Sequence, residues 1–210
     1  MSAPESGVYR WPDNESAALA LRAHLERLEH GEESKLDGYR LDFRGAILQV
    51  LKLNGANFAE ACLDGVSFRG CTLNRADFTD ASLQGACFDD VEMIGADLYG
   101  VLGKKATFVN AWLSGLEALN ADLREANFQQ ASLRGVGFDG ANLEGADFRS
   151  AKFERTLFIS SRILGVQLAG ATGTLVGPSD VAEDQRLADA DLQAWFCERG
   201  ADVTIVPVVP

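Results

Sequence analysis

The sequence predicts an all-β solenoid, in which the chain winds through stacked coils and turns a corner every five residues. A large apolar residue occurs at nearly every fifth position from Phe43 to Leu168, with no insertion between them. A small residue stands two positions before most of these centres, as Ala76 does before Phe78. Neither an α-helix nor a flat strand keeps a period of five on one face, because five residues turn about 500° in a helix and an odd period alternates faces in a strand. A chain that turns at each unit does keep it.

Residues 1–35 precede the repeat and are predicted to form a tail followed by a capping helix. We expect the helix to begin after Asp13, whose side chain would cap it, and to end at Gly31. Its narrow apolar stripe is too short to be stable alone, so it should pack on the open first coil of the repeat. The stripe consists of Ala17, Leu21, Leu25 and Leu28.

Residues 36–173 form the predicted solenoid, and two of its units are irregular. Val101–Lys105 has Gly103 at its centre, which predicts a bulged corner. Leu116–Asn120 has Ala118 at its centre, which predicts a local cavity or a shift of the backbone. Since neither unit inserts a residue, we expect no long loop to leave the rod.

Residues 174–210 lose the five-residue phase and are expected to form a C-terminal module. The sequence pattern predicts a helix from Asp189 to Arg199 and a short strand or an extended arm over Asp202–Val206. A bare coil end is prone to aggregation, so this module should cap the last coil, pair with a second subunit, or do both. The apolar face of the helix consists of Leu192, Trp195 and Phe196.

The composition narrows the functional class. A net charge of -12 and a pI of about 4.6 disfavour direct binding to nucleic acid or to an anionic membrane, and they suit a basic partner. No apolar run is long enough to span a bilayer, and the cysteines lack metal-ligand spacing, which indicates free thiols in a reducing cytoplasm. His24 and His30 have no nucleophile at a fixed spacing, and phosphate-binding and zinc motifs are missing. We therefore expect no enzyme, no cofactor and no metal.

The outward positions beside the buried centres hold the candidate binding residues. With four units per coil, as the family resemblance described below implies, Asp77, Asp97 and Glu117 stack at about 5 Å on one side of the rod, which is unfavourable between like charges. One interpretation is that salt and water screen this small repulsion and the row has no special role. The other is that the row imitates the anionic backbone of DNA. Outward apolar residues on the same side suit either a capping segment or a partner. These residues are Tyr99, Leu119, Leu157 and Ile159.

The repeat resembles the pentapeptide-repeat family, whose unit reads A-[DN]-[LF]-X-X. Units such as Ala96-Asp97-Leu98 match it in full, and the resemblance extends over residues 36–173. It implies a right-handed quadrilateral β-helix with four pentapeptides per coil. That arrangement gives about six and a half coils and a rod about 30 Å long at the ~4.8 Å spacing of stacked strands.

Within this family, the chain is most similar to the MfpA and Qnr type, which is nearly all repeat and ends in a C-terminal helix. This resemblance implies a non-enzymatic DNA mimic that binds DNA gyrase or topoisomerase IV and protects against a poison such as a quinolone or a related antibiotic. It also implies a homodimer joined through the C-terminal module. The dedicated N-terminal helix and the lack of loops of the Qnr kind depart from that type.

An alternative interpretation is a pentapeptide-repeat scaffold or adaptor that binds an unrelated protein through the apolar stripe beginning at Tyr99. Whole-chain charge does not choose between the two functions, because residues 36–173 carry 17 acidic and 13 basic side chains and are only mildly acidic. The choice therefore depends on how the charges are arranged on the rod.

Overall fold

The computed structural model describes residues 7–177, 179–182 and 185–206, and most of them wind into stacked coils of twenty residues. Residues on a flat side pair in parallel with the residue twenty positions later, from Asp37 with Asn57 to Asp147 with Gln167. Four corners separate the sides of each coil, so the solenoid predicted from the five-residue period is confirmed. The predicted tail and C-terminal module also include residues that lie outside the described ones, namely 1–6, 178, 183–184 and 207–210.

The corners share one backbone conformation. Every residue whose number is a multiple of five from 40 to 170 has a positive φ, between 53° and 83°. At most corners the N–H of the next residue donates to the carbonyl of the preceding centre, as Ala46 does to Phe43 at 3.0 Å. One positive φ at the third position of such a turn is typical of a type II β-turn. Glycine adopts it freely, whereas Val50, with φ 57°, is a β-branched residue in a left-handed conformation.

The interior is filled by the centres of the repeat units. The large apolar centres from Phe43 to Leu168 are at most 4% exposed. On one side, phenylalanine rings of successive coils stack with centroids 4.9–5.2 Å apart and planes within 12° of parallel. Each buried ring contributes about 1.5–3 kcal/mol, and each ring pair roughly 0.5–1.5 kcal/mol more. These rings form an unbroken column, which consists of Phe68, Phe88, Phe108, Phe128 and Phe148.

The two irregular units follow the regular path, so the bulge and the backbone shift predicted for them were wrong. Leu102 pairs with the coils on both sides of it, and Lys105 has the ordinary corner φ of 62°. The space above Gly103 is occupied by Leu123, whose Cδ2 would lie 2.9 Å from a Cβ at that glycine. Glu117, beside Ala118, also stays in register with both neighbouring coils. The backbone pairing between coils therefore keeps both units regular, although Gly103 and Ala118 supply no large side chain at their centres.

The N-terminal residues cover the open first coil. β1 (Val8–Arg10) pairs antiparallel with β2 (Ile47–Leu48) on that coil, so the predicted tail contains a strand. α1 (Glu15–Glu29) follows, and its Ala17 and Leu21 side chains are fully buried in the same apolar core as the repeat. The helix therefore closes this end of the rod.

The cap of α1 differs from the expectation based on sequence. Asn14, rather than Asp13, is the N-cap, and its side-chain oxygen accepts the N–H of Ala17 at 3.1 Å. Asp13 stands one residue too early, and its carboxylate pairs instead with Arg10 at 3.1 Å. Both residue types favour the N-cap position, so the sequence pattern could not choose between two neighbours.

The buried face of α1 is rotated from the predicted apolar stripe. His24 is 3% exposed, whereas Leu25 and Leu28 are only partly buried. The Nε2–H of His24 donates to the carbonyl of Lys52 at 3.3 Å, and its Nδ1 therefore accepts the hydroxyl of Ser34 at 3.0 Å. Burial lowers the pKa of His24 below its ordinary value, although the hydrogen bond to the Lys52 carbonyl opposes this shift.

The remaining strands lie between residues 132 and 206. In chain order they are β3 (Ser132–Arg134), β4 (Lys152–Leu157), β5 (Ser161–Arg162), β6 (Thr172–Val176), β7 (Ser179–Ala182), β8 (Gln185–Leu187) and β9 (Asp202–Val206). β3, β4, β6 and β9 form a parallel sheet in this order, whereas β7 pairs in parallel with β5 and antiparallel with β8. Phe153 pairs with Gly173, but Thr156 pairs with Leu175. The twenty-residue register therefore ends at Gly173, as the sequence predicts.

α2 (Asp189–Glu198) closes the other end of the rod and ends one residue earlier than predicted. Its apolar face packs on the last coils, where the ring of Phe196 lies 6.4 Å from that of Phe158. The chain then returns as β9 and adds a further rung beside β6. The predicted C-terminal helix and strand are both present, and together they cap the solenoid.

Replacing Val50 by glycine is expected to raise the free energy of unfolding by about 0.5–1 kcal/mol. The left-handed conformation costs a non-glycine residue roughly 1–2 kcal/mol, and the side chain is 78% exposed, so little packing is lost. Urea denaturation followed by circular dichroism would measure the change. Gly85→Ala is the matched control, since a Cβ there meets nothing within 4 Å and only the backbone penalty applies. A Val50→Gly variant less stable than the parent chain would contradict this account.

Stability is expected to fall as the pH is lowered from about 7 to 5. The folded state disfavours a proton on His24, whereas the unfolded chain binds it with a pKa near 6.5, so protonation favours unfolding in this window. Urea midpoints measured across the window should rise with pH, and His24→Gln should remove that part of the slope. An unchanged slope in the His24→Gln variant would show that another group titrates.

Candidate protein-interaction surface

The outward side chains of the rod divide into four sides with different charges. The residues immediately before and after each buried centre point outwards, and each side repeats every twenty residues. The acidic side is defined by the outward positions next to Gly38, Phe58, Phe78, Leu98, Ala118, Phe138 and Phe158. These positions hold no Lys or Arg and five acids, which are Asp37, Asp77, Asp97, Glu117 and Asp139.

The three acids predicted to form a row lie on successive coils. Asp77 pairs with Asp97, and Asp97 pairs with Glu117, which brings the like charges to a spacing of about 4.8 Å. Each aspartate also accepts the backbone N–H two residues later, Asp77 from Thr79 and Asp97 from Tyr99, both at 2.8 Å. These charge-assisted hydrogen bonds orient the carboxylates and offset part of their mutual repulsion.

The same hydrogen bond explains why Asp or Asn precedes the centre of so many units. Asn57 accepts the N–H of Ala59 at 3.1 Å in the same way and carries no charge. An uncharged oxygen acceptor is therefore enough to make this hydrogen bond, and an anion is not required. The negative charge of Asp77 and Asp97 is an additional property of this side.

Four further acids, which the sequence analysis did not place in the row, extend the acidic side. Asp37 and Asp139 lie on it, and Glu60 and Asp80 stand at the corner that ends it. Arg40 is the one cation at these described positions, and it pairs with Glu60 at 2.7 Å. Burial raises the pKa of Asp139 above its usual value, although backbone hydrogen bonds oppose the shift. Extending the twenty-residue register from Asp77 would have found Asp37, and extending it from Thr79 and from the corner at Asp80 would have found the other three acids.

The predicted apolar stripe is discontinuous and only partly exposed. Tyr99 is 46% exposed, while Leu119, Leu157 and Ile159 are half-buried. Asp139 stands between Leu119 and Ile159 on successive coils, so no apolar band runs the length of the side. The structure places two exposed aromatic rings among the acids, those of Tyr39 (42% exposed) and Tyr99.

The apolar face of α2 lies inside the chain's own fold. Leu192 and Phe196 are 1% exposed, and Trp195 is 8% exposed. The guanidinium of Arg199 lies 3.9 Å from the centroid of the Trp195 ring, so a cation–π contact covers that ring as well. These side chains cap the last coils, and the homodimer expected through them stays a prediction.

The described residues offer no alternative chemistry that would point to a metal or a membrane. Within residues 7–177, 179–182 and 185–206, no group of three or more His, Cys, Asp and Glu side chains could hold a metal ion. In the same part of the chain, neither helix has the length and the apolar character needed to cross a membrane. Burial raises the pKa of the Cys71 thiol to about 12, which leaves it unreactive at neutral pH.

One protein-family model matches the repeat. The family described as Pentapeptide repeats matches with eight copies, over residues 39–75, 52–90, 61–100, 104–138 and 137–172. These matches together cover more than half of the chain. None of the curated proteins matches the sequence.

Several solved structures of pentapeptide repeat proteins are similar to this chain. One from the thylakoid lumen of Arabidopsis thaliana is 26% identical, with a TM-score of 0.49, over 59% of this chain and 79% of that chain. HetL, involved in heterocyst differentiation regulation in the cyanobacterium Nostoc sp. strain PCC 7120, is 19% identical, with a TM-score of 0.44, over 87% and 90%. QnrB1, a plasmid-mediated fluoroquinolone resistance protein, is 20% identical, with a TM-score of 0.32, over 82% and 87%.

The charge of Asp97 should be removable without loss of stability. Asp97→Asn is expected to change the free energy of unfolding by less than about 0.5 kcal/mol, because the amide oxygen can still accept the N–H of Tyr99. Asp97→Ala loses that acceptor and should lower it by about 1 kcal/mol. Urea denaturation of both variants would test this, and equal stability losses would show that the charge itself supports the fold.

Proposed function

The chain belongs to the pentapeptide-repeat family, and from this premise we propose that it acts without catalysis, by occupying the DNA-binding surface of a type II topoisomerase. DNA gyrase is the proposed partner, with topoisomerase IV as its close counterpart. Binding would protect the enzyme from a poison such as a quinolone or a related antibiotic. The proposal includes a right-handed coil and a cytoplasmic location, where such a partner is found.

The acidic side is the observation that carries this proposal. From Asp37 to Asp139 it covers five coil spacings, or about 24 Å, over which one DNA strand carries about seven phosphates. The side and its corner hold seven carboxylates over that length, and Arg40 neutralises one of them. The linear density of carboxylates is therefore close to the density of phosphates on one DNA strand and about half that of the duplex.

The regularity of the rod supports the same proposal. Parallel pairing at twenty-residue intervals continues from Asp37 to Gln167 in the described residues, so the outward positions of this side follow one another at the even spacing of the coils. A basic surface shaped to hold DNA can contact such an array along its whole length. The net charge of -12 adds long-range attraction, which salt would weaken because the Debye length is only about 10 Å at 0.1 M.

A supercoiling assay with purified gyrase, combined with drug-stabilised cleavage, tests the proposal directly. We expect the intact protein to inhibit supercoiling or to reduce quinolone-stabilised cleavage, with an effect that declines as salt is raised from about 50 to 200 mM. Unchanged supercoiling and cleavage in the presence of excess protein would refute it.

Neutralising the row separates the role of these acids from that of total charge. A variant with Asp77→Asn, Asp97→Asn and Glu117→Gln should weaken the effect on gyrase about tenfold or more, which corresponds to about 1.4 kcal/mol. The matched control removes the same charge from other sides of the rod through Asp64→Asn, Asp89→Asn and Glu144→Gln. In this control, Asp64 and Asp89 each accept a hydrogen bond from a backbone N–H, and the asparagine oxygen can accept the same bond. Equal losses in both variants would mean that only net charge matters.

A second candidate function is a scaffold that binds an unrelated protein, and the exposed ring of Tyr99 favours it. Leu102, 52% exposed, follows Tyr99 around the corner at Gly100, so two apolar side chains flank one corner. A variant with Tyr99→Ser and Leu119→Gln distinguishes the two functions. Loss of binding to a captured partner with an unaltered effect on gyrase would favour the scaffold.

A further inference from the structure

A second side of the rod has the opposite charge from the acidic side. The basic side is defined by the outward positions next to Leu53, Leu73, Met93, Leu113, Leu133 and Phe153, together with the corner that follows them. Its only acids are Glu92 and Glu154. Its cations are Lys52, Arg75, Arg134, Lys152 and Arg155, and Lys35 stands at the start of the same corner column. The basic side adjoins the acidic side along this corner.

The cations of the basic side are mostly free of ion pairs. On the other three sides and their corners, every Lys and Arg of the repeat contacts a carboxylate, as Arg124 does with Asp122 at 2.6 Å and Arg69 with Asp90 at 3.0 Å. Among the described residues, five cations on the basic side have no such partner. These are Lys35, Lys52, Arg75, Lys152 and Arg155. A ligand carboxylate can therefore bind them without displacing an existing ion pair.

The first coils of the basic side also form a groove. It encloses about 460 Å³ and is lined by Lys35, Asn54, Gly55, Asn74, Arg75 and Ile94. An adjoining groove of about 600 Å³ shares Lys35 and Asn54 and reaches Lys52, but Glu32 and Glu33 also line it. A Cβ on Gly55 would lie only 3.1 Å from Cε of Lys35, so the bare corner leaves room for the lysine stem. The first groove thus presents cations together with amide side chains.

Apolar side chains occupy the middle of the basic side. Ile94 is 42% exposed, and Trp112, on the next coil, is 63% exposed. The carboxylate between the two cationic regions, that of Glu92, already accepts the side-chain N–H of Asn74 at 2.7 Å. An exposed tryptophan beside a groove is the kind of anchor that dominates protein interfaces.

We propose that the basic side binds an extended acidic protein segment that has apolar residues at its middle. Cations at both ends of the side match acidic ends of the segment, and Ile94 with Trp112 matches its centre. From Lys35 to Arg155 the side covers six coil spacings, or about 29 Å, which an extended chain spans with about nine residues. The net charge of -12 and the adjoining acidic side oppose any anionic ligand, and they oppose a nucleic acid most strongly, because each strand carries one phosphate about every 3.4 Å.

This second interface goes beyond the proposed effect on a topoisomerase and does not depend on it. The two ligands carry opposite charges and contact different sides of the rod. One chain could therefore hold a basic partner and an acidic segment at the same time.

Fluorescence anisotropy with a labelled peptide tests the second interface on the intact 210-residue chain. The probe consists of three glutamates, serine, phenylalanine, leucine, serine and three glutamates. We expect saturable binding that weakens with salt, and about tenfold or more weaker binding when glutamine replaces every glutamate. The double variant Lys35→Gln with Arg75→Gln, and separately Trp112→Ser, should each weaken binding about tenfold.

The matched control is Lys104→Gln with Arg124→Gln, which removes the same charge from the opposite, ion-paired side. It should change the affinity less than about twofold, and the variant with Asp77→Asn, Asp97→Asn and Glu117→Gln should still bind the peptide. Absence of saturation at millimolar peptide, or an equal loss in the control, would overturn the proposal. Tighter binding of a labelled single-stranded oligonucleotide than of the peptide would also overturn it. These outcomes are independent of the supercoiling assay.

Discussion

The backbone ladder between successive coils is the constraint on which the rest of this structure depends. On each side, one residue donates its N–H to the preceding coil and the next donates to the following coil, as Asp77 does to Ala56 at 2.9 Å and Phe78 to Asp97 at 2.8 Å. These bonds hold the coils in a register of twenty residues. One extra residue in a unit would move the inward side chains out of phase unless a bulge absorbed it, and the chain keeps strict units of five from Phe43 to Leu168. The positive φ at each corner, even at Val50, follows from the same requirement.

The fixed register turns a one-dimensional sequence pattern into columns on the surface. Residues twenty apart stack directly on one another. Acidic or basic residues that recur in every fourth unit therefore line up as a charged side of the rod. The acidic side and the basic side arise in this way, although the repeat as a whole is only mildly acidic. Stacking like charges is unfavourable, and the hydrogen bonds from backbone N–H groups to Asp77 and Asp97 offset part of that penalty. Because the interior is nearly uniform, any specificity of this rod must lie in its outward columns.

The two ends of the rod need different solutions, since each coil end leaves apolar centres without a neighbour. At the start, α1 covers the first coil and buries His24 along with its apolar residues. At the other end, α2 covers the last coils, and β9 adds one more rung to the sheet. The aromatic side chains of α2 that resemble a dimer contact are thereby used within the chain. The ends thus protect the ladder, and the sides remain available for partners.

The five-residue period was enough to predict the solenoid, its centres, its length and the point at which the register stops, because this period is a local property that only a regularly turning chain can satisfy. It also located Asp77, Asp97 and Glu117 on one side. The folded structure was needed to show which neighbour caps α1, that Gly103 leaves the path regular, and that His24 is buried. It alone showed which cations are already paired and which are free. These features depend on contacts between residues distant in the chain, where packing across coils selects among alternatives that look equivalent in sequence.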